Sequence, residues 1–258
     1  MIKSVTLIGA GNLATRLGLA LNEAGVNIEQ VYSRTEDAAR ELALLLDAGY
    51  TNHLEEVRNT SDLIIVAIKD DAITELLDQI AVGNKLIVHT SGSVAMQSLA
   101  AYSANYGVFY PLQTFSKSRA VNFEEIPFCL EANTNANLAS LKELASKVSQ
   151  NVYEIDSEER RVLHLSAVFV CNFVNHFYHL GDQLLSDQQL DFNILKPLIK
   201  ETAAKITELK PAEAQTGPAV RFDETIINKH LKILEEKPEL RKIYSFVSES
   251  IHQTHKKN

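Results

Sequence analysis

The chain has 258 residues, of which 45% are hydrophobic and 22% charged, and it carries a formal net charge of -8 at pH 7. This length and composition are typical of a folded protein with one large or two ordinary domains and a substantial buried core. The acidic balance argues against a general nucleic-acid or acidic-membrane binder, because such surfaces carry an excess of Lys and Arg.

The two cysteines, Cys129 and Cys171, lie far apart in apolar surroundings. Neither a disulfide framework nor a cysteine metal site is therefore expected, no metal is predicted, and a reducing cytoplasm is the expected location. The most hydrophobic later stretch, residues 162–180, contains three His and two Asn, which are too many polar groups for a membrane span. We interpret it as a buried helix.

The first 155 residues alternate short β-branched runs with helical patterns, which predicts strand–helix units and a mostly parallel sheet. The predicted strands are residues 5–8, 28–32, 63–68, 86–89, 107–110, 127–131 and 152–155. The predicted helices of this part are residues 12–23, 36–46, 71–80 and 135–148. The fold class is thus α/β, with a Rossmann-type doubly wound sheet.

After Asp156 nearly every segment has helical spacing. A long helix is predicted over 158–185 and another over 193–209, followed by a connector over 210–223 and a last helix that Pro238 opens. We therefore predict a dinucleotide-binding domain over 1–155 and an all-helical substrate and dimerisation domain over 156–258.

The run GAGNLA, residues 9–14, follows the first strand and opens a helix, as the G-x-G-x-x-A dinucleotide fingerprint does. Gly9 permits the tight turn and Gly11 lets the backbone approach a pyrophosphate, while Asn12 and Leu13 begin the helix whose free N–H groups attract phosphate. The alternative is a strand–helix turn without a ligand. The second strand at the expected distance favours the nucleotide site.

At the end of the second strand, where NAD-type sites place an acid on the ribose, the chain has Ser33, Arg34 and Thr35. A guanidinium and two hydroxyl groups suit the 2′-phosphate of NADP, whereas the absence of an acid counts against NAD and against methyltransferases. The alternative is that Arg34 is an exposed surface residue, neutralised by Glu36. We predict NADP as the cofactor.

Ligands of open α/β sheets gather at the carboxyl ends of the strands. Ile68, Lys69 and Thr90 at such ends are predicted to contact the cofactor, Ser91 to lie close to the reacting ring, and Gln113 to contact the substrate. Each of these strand ends could instead be a loop without a ligand.

On the long predicted helix, a spacing of 100° per residue places His164 and Asn172 along one polar seam. Hydride transfer to a C=O or C=N carbon requires a proton, so we assign His164 as acid/base and Asn172 as a substrate-orienting group. The alternative for His164 is a core histidine in a hydrogen-bond network. In the constrained loop TGPAVRFD, Arg221 is a possible clamp for a substrate anion or, alternatively, an ion-pair partner of Asp223.

The chain contains, in this order, GAGNLA, YSRT, SDLIIVAIKDDAI, VHTSGS, FYPLQTFS, HLSAVFVCNFVNHFY and TGPAVRFD. In these motifs it resembles bacterial Rossmann-like NADP-dependent oxidoreductases that carry a C-terminal helical domain of unknown function. These are similar in plan to pyrroline-5-carboxylate reductase, ketopantoate reductase and deazaflavin-dependent NADP oxidoreductases. The resemblance implies a helical domain like the C-terminal domain of 6-phosphogluconate dehydrogenase, a homodimer formed through it, and hydride transfer.

The chain departs from the resemblance in two places. Many relatives carry His before Pro-Leu, where this chain has Tyr110, and the Lys that some relatives place on the long helix is absent. The prediction is accordingly an enzyme that transfers a hydride between NADPH and a small carbonyl or imine compound. The rivals are a noncatalytic NADP sensor or scaffold and a deazaflavin-dependent NADP reductase.

Overall fold

The computed structural model describes residues 1–256, so the predicted end of the second domain at residue 258 lies outside the described residues. The contacts divide the chain into two compact units, Met1–Phe169 and a second that begins at Val170. The boundary predicted after residue 155 precedes the helix Ser157–Ala167, which belongs to the first of these units.

The first unit is built on an eight-stranded sheet with the order β3-β2-β1-β4-β5-β6-β7-β8. All neighbouring strands are parallel except β6 and β7, which are antiparallel. The strands are β1 Ser4–Ile8, β2 Asn27–Tyr32, β3 Gly49–Thr51, β4 Leu63–Val66, β5 Leu86–His89, β6 Tyr106–Pro111, β7 Phe128–Ala132 and β8 Val152–Glu154. The predicted Rossmann-type sheet is confirmed.

The helices of the first unit are α1 Asn12–Glu23, α2 Glu36–Leu46, α3 Ile73–Leu77, α4 Asn135–Ala145 and α5 Ser157–Ala167. Strands β4 and β5 are buried along their whole length, because helices and loops cover both faces of the sheet. This is why their sequences are continuous β-branched runs without polar alternation.

Strand β1 lies between β2, which follows it in the sequence, and β4, so the strand order reverses between β1 and β4. Such a reversal opens a crevice at the carboxyl ends of these two strands. The glycine turn follows β1 and the segment Ala67–Ile68 follows β4, so both lie at this crevice.

The second unit is helical. Its helices are α6 Val174–Ser186, α7 Lys196–Glu208, α8 Pro211–Ala214, α9 Glu224–Ile233 and α10 Pro238–Lys256. A π-helical segment, Val168–Phe173, spans the boundary between the units. Within the described residues, no helix is both long enough and apolar enough to cross a membrane.

Two predictions for the region 158–185 are wrong. The single regular helix is interrupted, since residues Val168–Phe173 have the i to i+5 bonding of a π-helix. A count of 100° per residue therefore does not hold beyond Val168, and the proposed polar seam through Asn172 loses its geometric basis. The helix is also not buried in this chain, because Val162 is 66% and Val170 72% exposed.

Smaller differences concern the edges of the predicted elements. The strand predicted over 63–68 ends at Val66, and the helix predicted over 71–80 is limited to Ile73–Leu77 after a short 3-10 turn. Strand β3 was not predicted from the sequence. It has three residues, Gly49–Thr51, and its first two are exposed, so it has no apolar run by which to recognise it.

Candidate active site

Gly9 forms the sharp turn between β1 and α1. Its φ of +120° favours glycine, and a Cβ there would lie 2.3 Å from the carbonyl oxygen of Ala67. The backbone N–H of Gly9 donates a 2.8 Å hydrogen bond to the carbonyl of Tyr32, which ties the turn to the end of β2. Any side chain at this position would push β1 and β4 apart at their carboxyl ends.

Gly11 has a different role from Gly9. No atom lies within 4 Å of the position that a Cβ on Gly11 would take, so the space above it is open. Gly11 is the N-cap of α1 and has no side chain that could accept the first free N–H groups of the helix. The open space and the free donors together suit an anionic ligand at the helix terminus.

A cleft of about 710 Å³ lies in front of this turn. Its volume is within the range of small-molecule and cofactor sites. Eight of the ten residues predicted to contact the cofactor line it: Gly9, Gly11, Asn12, Leu13, Ser33, Arg34, Ile68 and Lys69. Residues from three separate strand ends therefore meet at one cleft.

Arg34 extends from the end of β2 at the rim of this cleft. Its guanidinium is exposed and forms no ion pair with Glu36 within the described part of the chain, so the alternative of neutralisation finds no support. Burial raises the pKa of the neighbouring Tyr32, and the charge of Arg34 partly offsets this rise. The cationic group is thus free to meet an anion.

Two predicted cofactor contacts, Thr35 and Thr90, are not among the residues that line the cleft. Thr35 is the N-cap of α2, and Thr90 is buried with its backbone N–H bonded to the carbonyl of Val66 at 3.1 Å. Nine other lining residues were not predicted. Three of them adjoin predicted contacts, one lies in the 3-10 turn Leu54–Glu56, and the others lie in or beside α3: Ala10, Tyr32, Ala67, Leu54, Asp71, Ala72, Glu75, Leu76 and Gln79. The position of α3 directly after β4 was the available signal for most of them.

The loop after β5 lies beside the cleft, since β4 and β5 are paired through Val66 and His89. The Ser91 hydroxyl accepts hydrogen bonds from the backbone N–H groups of Ser93 and Val94, both at 3.0 Å. The Ser93 hydroxyl also donates to Asp70, which follows β4. In this structure Ser91 therefore shapes the loop, and its predicted role beside the reacting ring stays a prediction.

Helix α5 is fastened to this loop by Arg160, a residue that the sequence analysis did not single out. The Arg160 side chain is 0% exposed, pairs with Glu131 of β7 at 2.6 Å, and donates to the carbonyl of Val94 at 2.6 Å. Ser157 accepts a hydrogen bond from the backbone N–H of Met96 at 3.0 Å and donates to Glu131. The start of α5 is thus held against both β7 and the loop after β5.

His164 lies one helical turn after Arg160, on the same face of α5. Its imidazole rests against Gly92, where a Cβ would come within 2.6 Å of Nδ1. The Tyr110 hydroxyl, at the end of β6, lies 3.2 Å from the same nitrogen. The structure therefore brings His164 to the carboxyl ends of β5 and β6, at the edge of the sheet that carries the cleft.

Tyr110 is buried, and burial raises the pKa of its hydroxyl to about 12, with a smaller contribution from the neighbouring Cys129. The phenol is therefore neutral at physiological pH. The partnership between Tyr110 and His164 was not predicted, because 54 residues separate them in the sequence. Only the position of Tyr110 at a strand end pointed toward the site.

Gln113 lies after β6, is exposed, and uses its side-chain oxygen to accept the backbone N–H of Thr114 at 2.8 Å. Asn172 and Arg221 belong to the second unit and are exposed there. Asp223 caps α9 by accepting the backbone N–H of Ile226 at 3.2 Å, and no ion pair joins it to Arg221 in the described chain. The predicted substrate contacts of Gln113, Asn172 and Arg221 stay predictions.

The loop that carries Arg221 is constrained. Gly217 and Phe222 both have positive φ angles, of 108° and 49°. For a bulky residue such as Phe222 this conformation is uncommon and requires support from its surroundings.

Among residues 1–256 no group of three or more His, Cys, Asp or Glu side chains is arranged to hold a metal ion.

Comparison with known proteins agrees with this geometry. Residues 4–92 match the family model described as NADP oxidoreductase, coenzyme F420-dependent, and residues 126–251 match a domain of unknown function, DUF2520. A solved structure from Bacteroides fragilis, provisionally described as an NADP oxidoreductase, is 50% identical, with 98% of each chain covered and a TM-score of 0.94. The chain belongs to this family of Rossmann-like NADP oxidoreductases. The predicted family and cofactor class are confirmed.

More distant proteins share parts of this architecture. A reductive aminase from Aspergillus terreus, solved with NADPH and ethyl levulinate, has a TM-score of 0.75 over 98% of this chain and 95% of that one, at 13% identity. This likeness shows the fold of the family. A glutamyl-tRNA reductase from Methanococcus maripaludis is 39% identical over 89 residues, and the match spans 33% of this chain and 23% of that enzyme.

Proposed function

We propose that the protein is an NADP-dependent reductase that transfers a hydride between NADPH and a small carbonyl or imine compound. One observation carries the proposal: His164 rests on Gly92 at the end of β5, next to the strand end of β4 that lines the dinucleotide cleft. A proton donor and a nucleotide cleft thus share one edge of the sheet.

The residues of the cleft fit NADP. The open space over Gly11 and the free N–H groups of α1 suit the pyrophosphate, and Ser33 and Arg34 suit the 2′-phosphate. Ile68 and Lys69 would face the nicotinamide side. Bound NADPH would supply the hydride that reduces the substrate carbon.

The protein's own groups would supply the proton and the orientation. Histidine changes charge near neutral pH, so a protonated His164 can give its proton to the oxygen or nitrogen that gains the electron pair. We propose that Ser91 orients the substrate and that Gln113 contacts it. The reductive aminase that shares the fold was solved in complex with NADPH and ethyl levulinate, a keto ester, which supports this substrate class.

A second candidate function is hydride exchange between NADP and a deazaflavin. The match of residues 4–92 to a family described as coenzyme F420-dependent favours it. This function would require a wide apolar cleft for the deazaflavin ring. A noncatalytic NADP sensor remains the alternative from another class, and binding without turnover would support it.

We further propose a homodimer formed through the helical unit. Val170 and Phe246 are 72% and 74% exposed, and large apolar side chains on α7 are exposed as well. Exposed apolar surface of this extent is characteristic of interaction surfaces. A cytoplasmic location is proposed because both cysteines are unpaired.

The cofactor assignment is tested by measuring the Kd of NADPH and of NADH for the wild type and for Arg34→Ala. We expect the substitution to weaken NADPH binding about tenfold or more and to leave NADH unchanged, because a charge-assisted phosphate contact contributes on the order of 1.5–3 kcal/mol. Arg40→Ala is the matched control, since Arg40 is an exposed cation of α2 that pairs with Asp37. Equal affinities for both cofactors, unaffected by Arg34→Ala, would refute the assignment.

The reaction is tested by screening keto acids, cyclic imines and a deazaflavin with NADPH, and by repeating the assay with His164→Ala. We expect kcat for the best carbonyl or imine substrate to fall about 100-fold, the lower part of the range for a positioned general acid. His53→Ala serves as control because His53 is exposed and lies before β4. Full activity in His164→Ala would remove this residue from the mechanism.

A further inference from the structure

The Tyr110 hydroxyl lies 3.2 Å from Nδ1 of His164, and the two groups form a hydrogen bond. We infer that Tyr110 is a positioning residue that donates its hydroxyl proton to Nδ1 of His164 and so places the ring proton of neutral His164 on Nε2. The inference deepens the proposed function, because its catalytic meaning rests on His164 as the acid.

The donor direction follows from the surroundings of the phenol. Tyr110 is buried, and its hydroxyl keeps its proton because burial raises its pKa to about 12. Within residues 1–256, the hydroxyl has one hydrogen-bond partner, the Nδ1 of His164 at 3.2 Å. If Nδ1 carried the proton instead, the buried phenol would lack an acceptor, and an unsatisfied buried donor is costly.

The position of the His164 ring restricts which groups can lie next to Nδ1. Gly92 lies directly under this nitrogen, and the absence of a Cβ there is what allows the ring to approach. Helix α5 cannot easily turn away, because Arg160, one turn earlier, is buried and bonded to Glu131 and Val94. Nδ1 is therefore held between Gly92 and Tyr110.

Nε2 is in a different situation. No hydrogen bond to this nitrogen occurs among the described residues, and His164 is partly exposed. In histidine, the hydrogen bond made by one ring nitrogen decides the protonation of the other. Tyr110 thus leaves Nε2 as the nitrogen that is available to a substrate. Protonated His164 carries a proton on both nitrogens, so when Nε2 gives its proton to the substrate, Nδ1 keeps its own and donates to the Tyr110 oxygen. The neutral ring then returns to the Nε2–H form by proton exchange with solvent.

The test is a two-dimensional ¹⁵N–¹H spectrum of histidine-labelled protein at a pH where His164 is neutral, with His164→Gln used for assignment. We expect wild-type His164 to be the Nε2–H tautomer. Tyr110→Phe, which keeps the ring and removes the hydroxyl, should shift the two ring nitrogen signals toward each other as the tautomers mix. Tyr102→Phe is the control, because it removes another tyrosine hydroxyl, bonded to Asp78, away from His164.

Two further readouts separate positioning from stability. Tyr110→Phe should lower kcat for the best substrate about tenfold, a fraction of a general acid's contribution, and leave KM and the Kd of NADPH unchanged. A wild-type Nδ1–H tautomer, or a Tyr110→Phe spectrum or kcat equal to the wild type, would overturn the inference. If the wild type reduces no substrate, the proposed function fails, whereas the spectra still decide the role of Tyr110.

Discussion

At the scale of single residues, the site depends on the absence of a side chain at two glycines. Gly9 leaves room for the carbonyl of Ala67 between β1 and β4, and Gly92 leaves room for the ring of His164. A side chain at Gly9 would meet backbone atoms, which cannot move without opening the sheet. A side chain at Gly92 would meet an imidazole, which can move but only by leaving Tyr110.

Gly92→Ala should therefore impair catalysis more than folding. Its Cβ would lie 2.6 Å from Nδ1 of His164, so the ring must shift and lose its bond to Tyr110. We expect kcat to fall at least about tenfold with little change in the Kd of NADPH, and a stability loss of about 1–3 kcal/mol from overpacking. Steady-state kinetics and urea unfolding measure both effects.

The matched control for this substitution is Gly181→Ala. Gly181 lies within α6, and its nearest neighbour, on Leu195, would be 3.8 Å from a new Cβ, an ordinary contact. This variant should keep wild-type activity and be slightly more stable, because alanine favours a helix. Unchanged kinetics in Gly92→Ala would show that the position of His164 is irrelevant to turnover.

At the scale of elements, the junction of β5 with α5 organises the site. His89, the last residue of β5, is fully buried, and its Nδ1 accepts the backbone N–H of Ser91 at 3.2 Å. Burial lowers the pKa of His89 to about 4, and the nearby Arg160 charge adds to the effect. The junction thus holds a neutral imidazole next to a buried cation, and protonating it would place two cations together.

This junction predicts a pH dependence of stability. Between pH 6.5 and about 4, His89 binds a proton in the unfolded chain but not in the folded one. Stability from this residue is therefore complete above pH 6.5 and falls as the pH decreases toward 4, by on the order of 3 kcal/mol. Urea unfolding of the wild type followed by circular dichroism between pH 4.5 and 7 should show this loss.

His89→Asn is the variant for this measurement, because its amide oxygen can replace Nδ1 as acceptor for Ser91 without gaining a proton. Its stability should fall less steeply over the same pH range, whatever its stability at pH 7. His53→Asn, at an exposed histidine, should keep the wild-type slope. Parallel slopes for His89→Asn and the wild type would contradict the assignment.

At the scale of the whole molecule, the second unit has a small apolar core. From Val170 to residue 256, the buried apolar residues are Ala219 and Leu234. A unit of this length normally buries well over half of the surface that its unfolded chain exposes. Helices α6, α7, α9 and α10 have no fully buried residue, so a second copy of the chain is the proposed cover.

The proposed dimer predicts a solution mass of about twice the 28.7 kDa of the chain, measurable by light scattering during size-exclusion chromatography. Leu198→Glu combined with Phe246→Glu should convert it to a less stable monomer, because both side chains are exposed apolar groups of the helical unit. Leu44→Glu, at a 77% exposed leucine of the first unit, should leave the mass unchanged. A wild-type monomer would refute the dimer.

The secondary-structure elements that have a local sequence pattern could be predicted from the sequence, whereas elements without such a pattern could not. Strands β1, β4 and β5 and helices α1 and α2 were recognisable, because buried parallel strands are continuous apolar runs and helices repeat every 3.6 residues. The three-residue edge strand β3 and the π-helical segment Val168–Phe173 were not, since neither has a periodicity of its own.

The sequence by itself determined the nucleotide half of the site, because the glycine turn and Ser33–Arg34 follow directly from strands that local patterning defines. Only the tertiary structure decided the proposed catalytic half. The contacts of His164 with Gly92 and Tyr110, and of Arg160 with Glu131, join residues that are distant in the chain. Local propensity carries no information about such contacts, because the pairing of strands and the docking of α5 create them.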